Sequence, residues 1–145
     1  MPRRIIKTDQ APAAIGPYSQ GIIAKPGQFI FTAGQIPFDP KTGEVVEGGI
    51  EAQTRQALEN VRAVVEAGGG HMEDIIKTTV FLKDMNDFPQ MNAVYQTFFF
   101  KEPPARSAVE AARLSSVSPS PSPRPNGLRK DVTQELAGVR LPDRG

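Results

Sequence analysis

The sequence predicts an α+β fold in which a mixed sheet carries two helices on one face. Two segments, 28–33 (QFIFTA) and 75–83 (IIKTTVFLK), are dense in the β-branched and aromatic residues that strands favour. Two others, 50–67 and 87–99, space their apolar residues three and four apart, the period of a helix with one buried stripe. Strand and helix then alternate up to a last strand-like stretch at 106–114 (RSAVEAARL), so each helix serves as a crossover between strands.

The elements follow in order. Residues 19–24 (SQGIIA) read as a weak strand, and Lys25-Pro26-Gly27 supplies a turn that would pair it in a hairpin with 28–33, a central strand ending at Gly34. The turn cluster Asp39-Pro40-Lys41-Thr42-Gly43 places 37–49 in a loop. Ile50, Ala57, Leu58, Val61, Val64 and Val65 form the stripe of the first helix, which Gly68-Gly69-Gly70 ends with a left-handed cap. The strand at 75–83 has the length of a sheet interior. Asp87-Phe88-Pro89-Gln90 starts the second helix with an aspartate cap, a first-turn proline and a glutamine three positions on. Phe88, Met91, Tyr95, Phe98 and Phe99 mark its buried side. Pro103-Pro104 then forbids further helix, and 106–114 returns as a strand with Glu110 and Arg113 at exposed or interface positions. Two layers leave the far face of the sheet uncovered, which favours self-association into a cyclic oligomer.

After Leu114 the composition changes. Serine and proline alternate through 115–125, a tract that cannot pair in a sheet and is expected to be disordered or extended polyproline. At 128–141, Val132, Leu136, Val139 and Leu141 have rough helical spacing, enough for a marginal helix. The expected organisation is one domain at 1–114 and an atypical Ser/Pro-rich, basic tail at 115–145.

Composition excludes several chemistries. The 145 residues include no cysteine and one histidine, His71, so thiolate catalysis, zinc ribbons and sites needing two histidines are out of reach. No run approaches the roughly 20 apolar residues of a membrane span, so a cytoplasmic location is expected. Residues 1–114 hold 12 basic and 13 acidic side chains, and this balance gives no footprint for nucleic acid.

Among single residues, Arg106 is the most informative. Pro103-Pro104-Ala105 fixes the backbone that delivers it to the start of a strand, and a guanidinium held there suits either a bidentate grip on a carboxylate or a structural ion pair. Gly16-Pro17-Tyr18 puts a phenol ahead of a strand, where it can line a pocket or pack on the core. Gly34-Gln35 offers backbone amides or merely ends a strand. Asn92 lies on the second helix, and His71 is expected in a surface loop. No phosphate loop is present, because the glycine run at 68–70 follows a helix.

The segments AlaProAlaAlaIleGlyProTyrSerGln at 11–20, GlyGlnIlePro at 34–37, IleLysThrThrValPhe at 76–81 and PPARSAVEAARL at 103–114 together resemble the YjgF family, in its reactive intermediate deaminase (RidA) branch. The resemblance runs from about residue 5 to 114. It implies a chorismate-mutase-like fold, assembled as a homotrimer with sites between subunits. It also implies hydrolytic deamination of enamines and imines (2-aminoacrylate, 2-iminopropanoate, 2-iminobutanoate) to 2-keto acids and ammonia, with no cofactor and no metal. By the same resemblance Arg106 clamps the substrate carboxylate, Tyr18 lines the pocket, the backbone at Gly34 and Ser107 meets the reacting end, and Asn92 stands near the water site. Ser107 occupies a position where many relatives carry cysteine. The chain departs from the family at its end. The usual glutamate, on a final strand with a pattern like Ile-Glu-Ile-Glu-Ala, is replaced by the Ser/Pro tract, and Glu135 is the sole glutamate downstream. The expectation is that the last strand is missing. The alternative to turnover is a trimer that binds small molecules or regulates while keeping the clamp. Ribonuclease activity, known for some relatives, is disfavoured by the balanced charge.

Overall fold

The computed structural model of the chain describes residues 3–112 and 133–143. In chain order the elements are β1 (Arg3–Ile6), β2 (Gly21–Ala24), β3 (Phe29–Phe31), β4 (Phe38–Asp39), β5 (Glu44–Val45), α1 (Ile50–Ala67), β6 (Ile75–Leu82), α2 (Phe88–Phe98), β7 (Ala105–Glu110) and β8 (Thr133–Arg140). Four strands form a mixed sheet in the order β3-β8-β6-β7. The pair β6/β7 is parallel, while β8 runs antiparallel to both β3 and β6. The two helices are therefore crossovers, as the alternation of elements predicts, and β8 slots between the strands that α1 connects.

Alternation along β6 decides which face is buried. Thr78, Val80 and Leu82 are buried, while Lys77 is exposed and Thr79 and Phe81 are half-buried. Leu58, Val61 and Val65 of α1 and Met91 and Tyr95 of α2 join Val80, Leu82, Ala137 and Val139 in one core. Full burial of such side chains contributes about 1.5–3 kcal/mol each. The opposite face leaves Phe31 81% and Val109 42% exposed.

Several expectations are corrected. The last strand is present. Residues 133–140, read from apolar spacing as a marginal helix within the tail, form β8, because ladders on both sides outweigh a weak local preference. Ala137 and Val139 alternate into the core as a strand requires. The expected hairpin of 19–24 with 28–33 does not form: β2 pairs with β1, and β3 pairs with β8 as an edge strand, not a central one. The turn at Lys25-Pro26-Gly27 has another occupant. Arg140, 2% exposed, donates from Nε to the Lys25 carbonyl (3.1 Å) and from Nη2 to the Pro26 carbonyl (2.7 Å). A Cβ on Gly27 would stand 2.5 Å from Arg140 Nη2, so glycine is what lets the guanidinium approach.

Smaller differences concern helix ends. The left-handed residue after α1 is Gly69 (φ +92), whereas Gly68 stays right-handed. Asp87 makes no side-chain cap. Asp84 caps instead, its carboxylate accepting from the Asn86 amide in the 3₁₀ turn Met85–Asp87 that precedes α2. The loop at 37–49 contains the short β4/β5 hairpin around the expected turn. The strand expected at 106–114 spans Ala105–Glu110. The disorder expected at 115–125 lies outside the described residues.

Arg140→Ala removes a buried charged donor from the two turn carbonyls of Lys25 and Pro26, and charge-assisted bonds of this kind are worth about 1.5–3 kcal/mol. Urea denaturation should show a loss of about 2–3 kcal/mol with an unchanged m-value.

Candidate functional site

The site is built where the end of β2's approach, the first turns of α2 and the start of β7 meet. Ser19 ties the first of these to the last: its amide donates to the Pro104 carbonyl (3.1 Å) and its hydroxyl donates to the Pro103 carbonyl. The two prolines thus offer their carbonyls to the strap while fixing the direction in which Arg106 leaves the backbone. Gln20 organises the strap further out. Its side-chain oxygen accepts from the Thr8 amide (2.8 Å), and its nitrogen donates to the carbonyls of Thr8 (3.1 Å), Ala11 (3.3 Å) and Pro12 (2.6 Å).

Arg106 lies in a box of aromatic faces. Its guanidinium carbon is 4.8 Å from the Tyr95 ring centre, 5.3 Å from Phe88 and 5.5 Å from Tyr18, all inside the range of cation–π attraction. Nη1 donates to Asn92 Oδ1 at 2.5 Å. Tyr95 is fixed in turn by a buried contact between its hydroxyl and that of Thr78, 2.6 Å apart. Thr78 and Arg106 are register partners on β6 and β7. Gly16 lies beside the box: a Cβ there would make ordinary contact with Tyr18 at 3.5 Å and with Arg106 Nη2 and Asn92 Nδ2 at 3.6 Å.

A cavity of about 500 Å³ opens beside this group, lined by Tyr18, Met85, Phe88, Pro89, Arg106 and Ala108. One fixed cation faces an open, largely apolar groove. That arrangement suits a small organic anion whose remainder is apolar.

Of the residues singled out in the sequence, the structure gathers Tyr18, Asn92 and Arg106. Gly34 follows β3 and is half-buried, and it is not among the residues lining the cavity. Ser107 turns to the opposite face of the sheet, where its hydroxyl accepts from Lys77 Nζ (2.9 Å). Glu135 is placed only by register, its backbone opposite Val80 on β6. His71 is exposed ahead of the 3₁₀ turn Met72–Asp74. Sequence reasoning missed Gly16, Met85, Pro89 and Ala108 as site residues. It placed Phe88 and Tyr95 on a buried helix face without seeing that Phe88, Asn92 and Tyr95, four and three apart, present one face to Arg106. Among the described residues no cluster of three metal-ligating side chains occurs, and no helix is long and apolar enough to cross a membrane.

The family model described as Endoribonuclease L-PSP matches residues 8–118. A RutC family protein of Pyrococcus horikoshii is 58% identical over 112 residues, covering 77% of this chain and 87% of that protein. The 2-iminobutanoate/2-iminopropanoate deaminase of Salmonella typhimurium is 56% identical over 114 residues, with the same coverage. Among solved structures, the YjgF gene product of E. coli superposes with a TM-score of 0.64 at 45% identity, covering 94% of this chain and 97% of that one. The E. coli TdcF structure with bound serine gives 0.64 at 40% identity, covering 94% and 97%.

Gln20→Ala should loosen the strap without unfolding the domain. Amide exchange over 8–18 is expected to rise at least about tenfold while β6 keeps its protection, measured by hydrogen-exchange mass spectrometry.

Proposed function

The chain belongs to the YjgF family, whose model carries the description Endoribonuclease L-PSP, and from that premise we propose that it is a RidA-type deaminase hydrolysing 2-imino acids to 2-keto acids and ammonia. The observation that carries this reading is the boxed guanidinium of Arg106 at the head of an apolar cavity. Relatives more than half identical are named 2-iminobutanoate/2-iminopropanoate deaminases.

The chemistry asks little of the protein. An iminium carbon is already electrophilic. Water adds to it, the C=N electron pair moves to nitrogen, and the added water gives up a proton. The carbinolamine nitrogen then takes a proton and leaves as ammonia, while the hydroxyl gives up its own proton to solvent and C=O forms. Arg106 contributes by holding the carboxylate, so that the adjacent carbon meets water in one orientation. Tyr18 and Asn92 hold Arg106 in place, and the backbone at Gly34 and Ser107 is assigned to the reacting end. No cofactor or metal enters. The near balance of 12 basic and 13 acidic side chains in residues 1–114 favours a small carboxylate over a polyphosphate as the partner of Arg106.

Gly34 and Ser107 do not line the same cavity as Arg106 within one chain. A homotrimer with sites between neighbouring subunits resolves this, and the exposed Phe31 and Val109 on the uncovered sheet face supply an apolar surface for it. The cytosol, where enamines are released by dehydratases, is the corresponding location.

A second reading is a binding or regulatory trimer without turnover. One observation favours it: the described residues that line the cavity include no carboxylate. Glu135, in register with Val80, lies two strands from Arg106, about 12 Å between backbones from strand spacing.

Keto acid release from dehydratase-generated 2-aminoacrylate separates the readings. Acceleration over buffer that falls by at least about a hundredfold in Arg106→Ala, and is not restored by Arg106→Lys, supports the deaminase. Binding of 2-ketobutyrate without any acceleration supports the second reading. The wild-type particle should have three times the 15.7 kDa protomer mass, and Phe31→Asp should yield protomers by light scattering.

A further inference from the structure

We propose that Arg3 and Ser19 are positioning residues, which act on the carboxylate grip of Arg106 by bracing the turn at 102–104 that delivers it. For catalysis this role rests on the deaminase reading. Pro103 and Pro104 have no N–H, so their carbonyls are the only backbone groups they offer to hydrogen bonds. Three consecutive carbonyls of the turn are taken by the N-terminal part of the chain. Arg3 Nη2 donates to the Glu102 carbonyl (2.8 Å), the Ser19 hydroxyl to that of Pro103, and the Ser19 amide to that of Pro104 (3.1 Å). Arg106 leaves the backbone two residues later.

The turn needs a brace because its first residue is strained. Glu102 has φ +34 and is the one non-glycine residue with positive φ among the described residues. It also precedes proline, which narrows its conformations further. Such a backbone persists only where its surroundings over-determine it. Both donors belong to one framework. β1 pairs with β2 from Arg3 opposite Ala24 to Ile6 opposite Gly21, and Ser19, 7% exposed, stands two residues before β2 and bridges to Ala105. Exposure alternates along β1, so Arg3 and Ile5 turn inward while Arg4 and Ile6 face out. Burial lowers the pKa of the Arg3 guanidinium, and the carboxylates of Glu102, Asp74 and Glu73 oppose that shift, which keeps the charged donor in place.

A guanidinium recognises a carboxylate by the direction of its fork. Tyr18, Phe88, Tyr95 and Asn92 fix the head of Arg106, but its stem starts from a backbone that the turn sets. Loss of Arg3 frees the Glu102 carbonyl and lets the strained turn relax, which shifts the stem against the box. Misplacement by about 1 Å, caused far from the reacting atoms, can cost about a hundredfold in rate. Ser19→Ala removes one bond of the brace and leaves the amide bond, so its effect is the milder one.

The test uses the full-length protein, with Arg4→Ala as a control that removes the same charge from the outer face of β1. The Arg106 Nε–H signal, identified by its loss in Arg106→Lys, is followed by NMR relaxation. In the wild type its order parameter should approach the rigid-backbone value of about 0.85, and in Arg3→Ala it should fall below about 0.6. Ser19→Ala should lower it less, and Arg4→Ala should leave it unchanged. The dissociation constant of 2-ketobutyrate should rise at least about tenfold in Arg3→Ala and stay the same in Arg4→Ala. An Arg106 as ordered in Arg3→Ala as in the wild type, or loosened equally by Arg4→Ala, overturns the proposal whatever happens to the melting temperature. So does a loosened Arg106 that binds 2-ketobutyrate as tightly as before. If the wild type neither hydrolyses imines nor binds 2-ketobutyrate, the deaminase reading fails, and the order parameter alone decides the brace. Should Arg3→Ala not fold, the same measurements on Arg3→Gln and Ser19→Ala decide it.

Discussion

Everything at the site depends on one charged group being kept in one place. A guanidinium is always ionised and its fork is planar, so its value as a recognition element depends on its orientation. Arg106 is oriented from three directions: ring faces of Tyr95, Phe88 and Tyr18, the Asn92 side-chain oxygen, and a backbone whose approach two prolines restrict. Tyr95 links this box to the core, since its hydroxyl meets Thr78 in the middle of the sheet.

The sheet that carries Arg106 is completed by a strand from beyond an atypical segment. β8 lies between β3 and β6 and pairs with both. Without it, β6 would leave one row of backbone groups unpaired and Val80 and Leu82 would lose neighbours in the core. Arg140 fastens the far end of β8 to the turn between β2 and β3. The contacts that close the fold are thus among the most distant in sequence.

Much of this was legible from residue pattern. The dense β-branched run of β6, the three-and-four spacing of α1 and the proline stop before β7 each carry a local signal strong enough to survive in the folded chain. The pattern at 128–141 misled, because Leu136 and Val139 are three apart, the spacing of a helix face, whereas Ala137 and Val139, two apart, are the residues that alternate into the core, and only partners on both sides make the segment a strand. The turn at Lys25-Pro26-Gly27 misled for a related reason: its carbonyls serve Arg140, a residue more than a hundred positions away. At the site, Arg106, Tyr18 and Asn92 stood out by chemical type. Met85, Pro89 and Ala108 did not, since an apolar lining residue looks like any core residue until a cavity is seen beside it.

On the proposed deaminase reading, a caged cation beside a hydrocarbon-walled space is enough for a protein with one histidine and no cysteine. The substrate brings its own electrophile, and the protein brings orientation. A crystal structure of the protein with 2-ketobutyrate bound tests this most directly. The account predicts the ligand carboxylate within about 3 Å of the Arg106 guanidinium. A ligand bound elsewhere on the protein, with Arg106 directed into solvent, would contradict it.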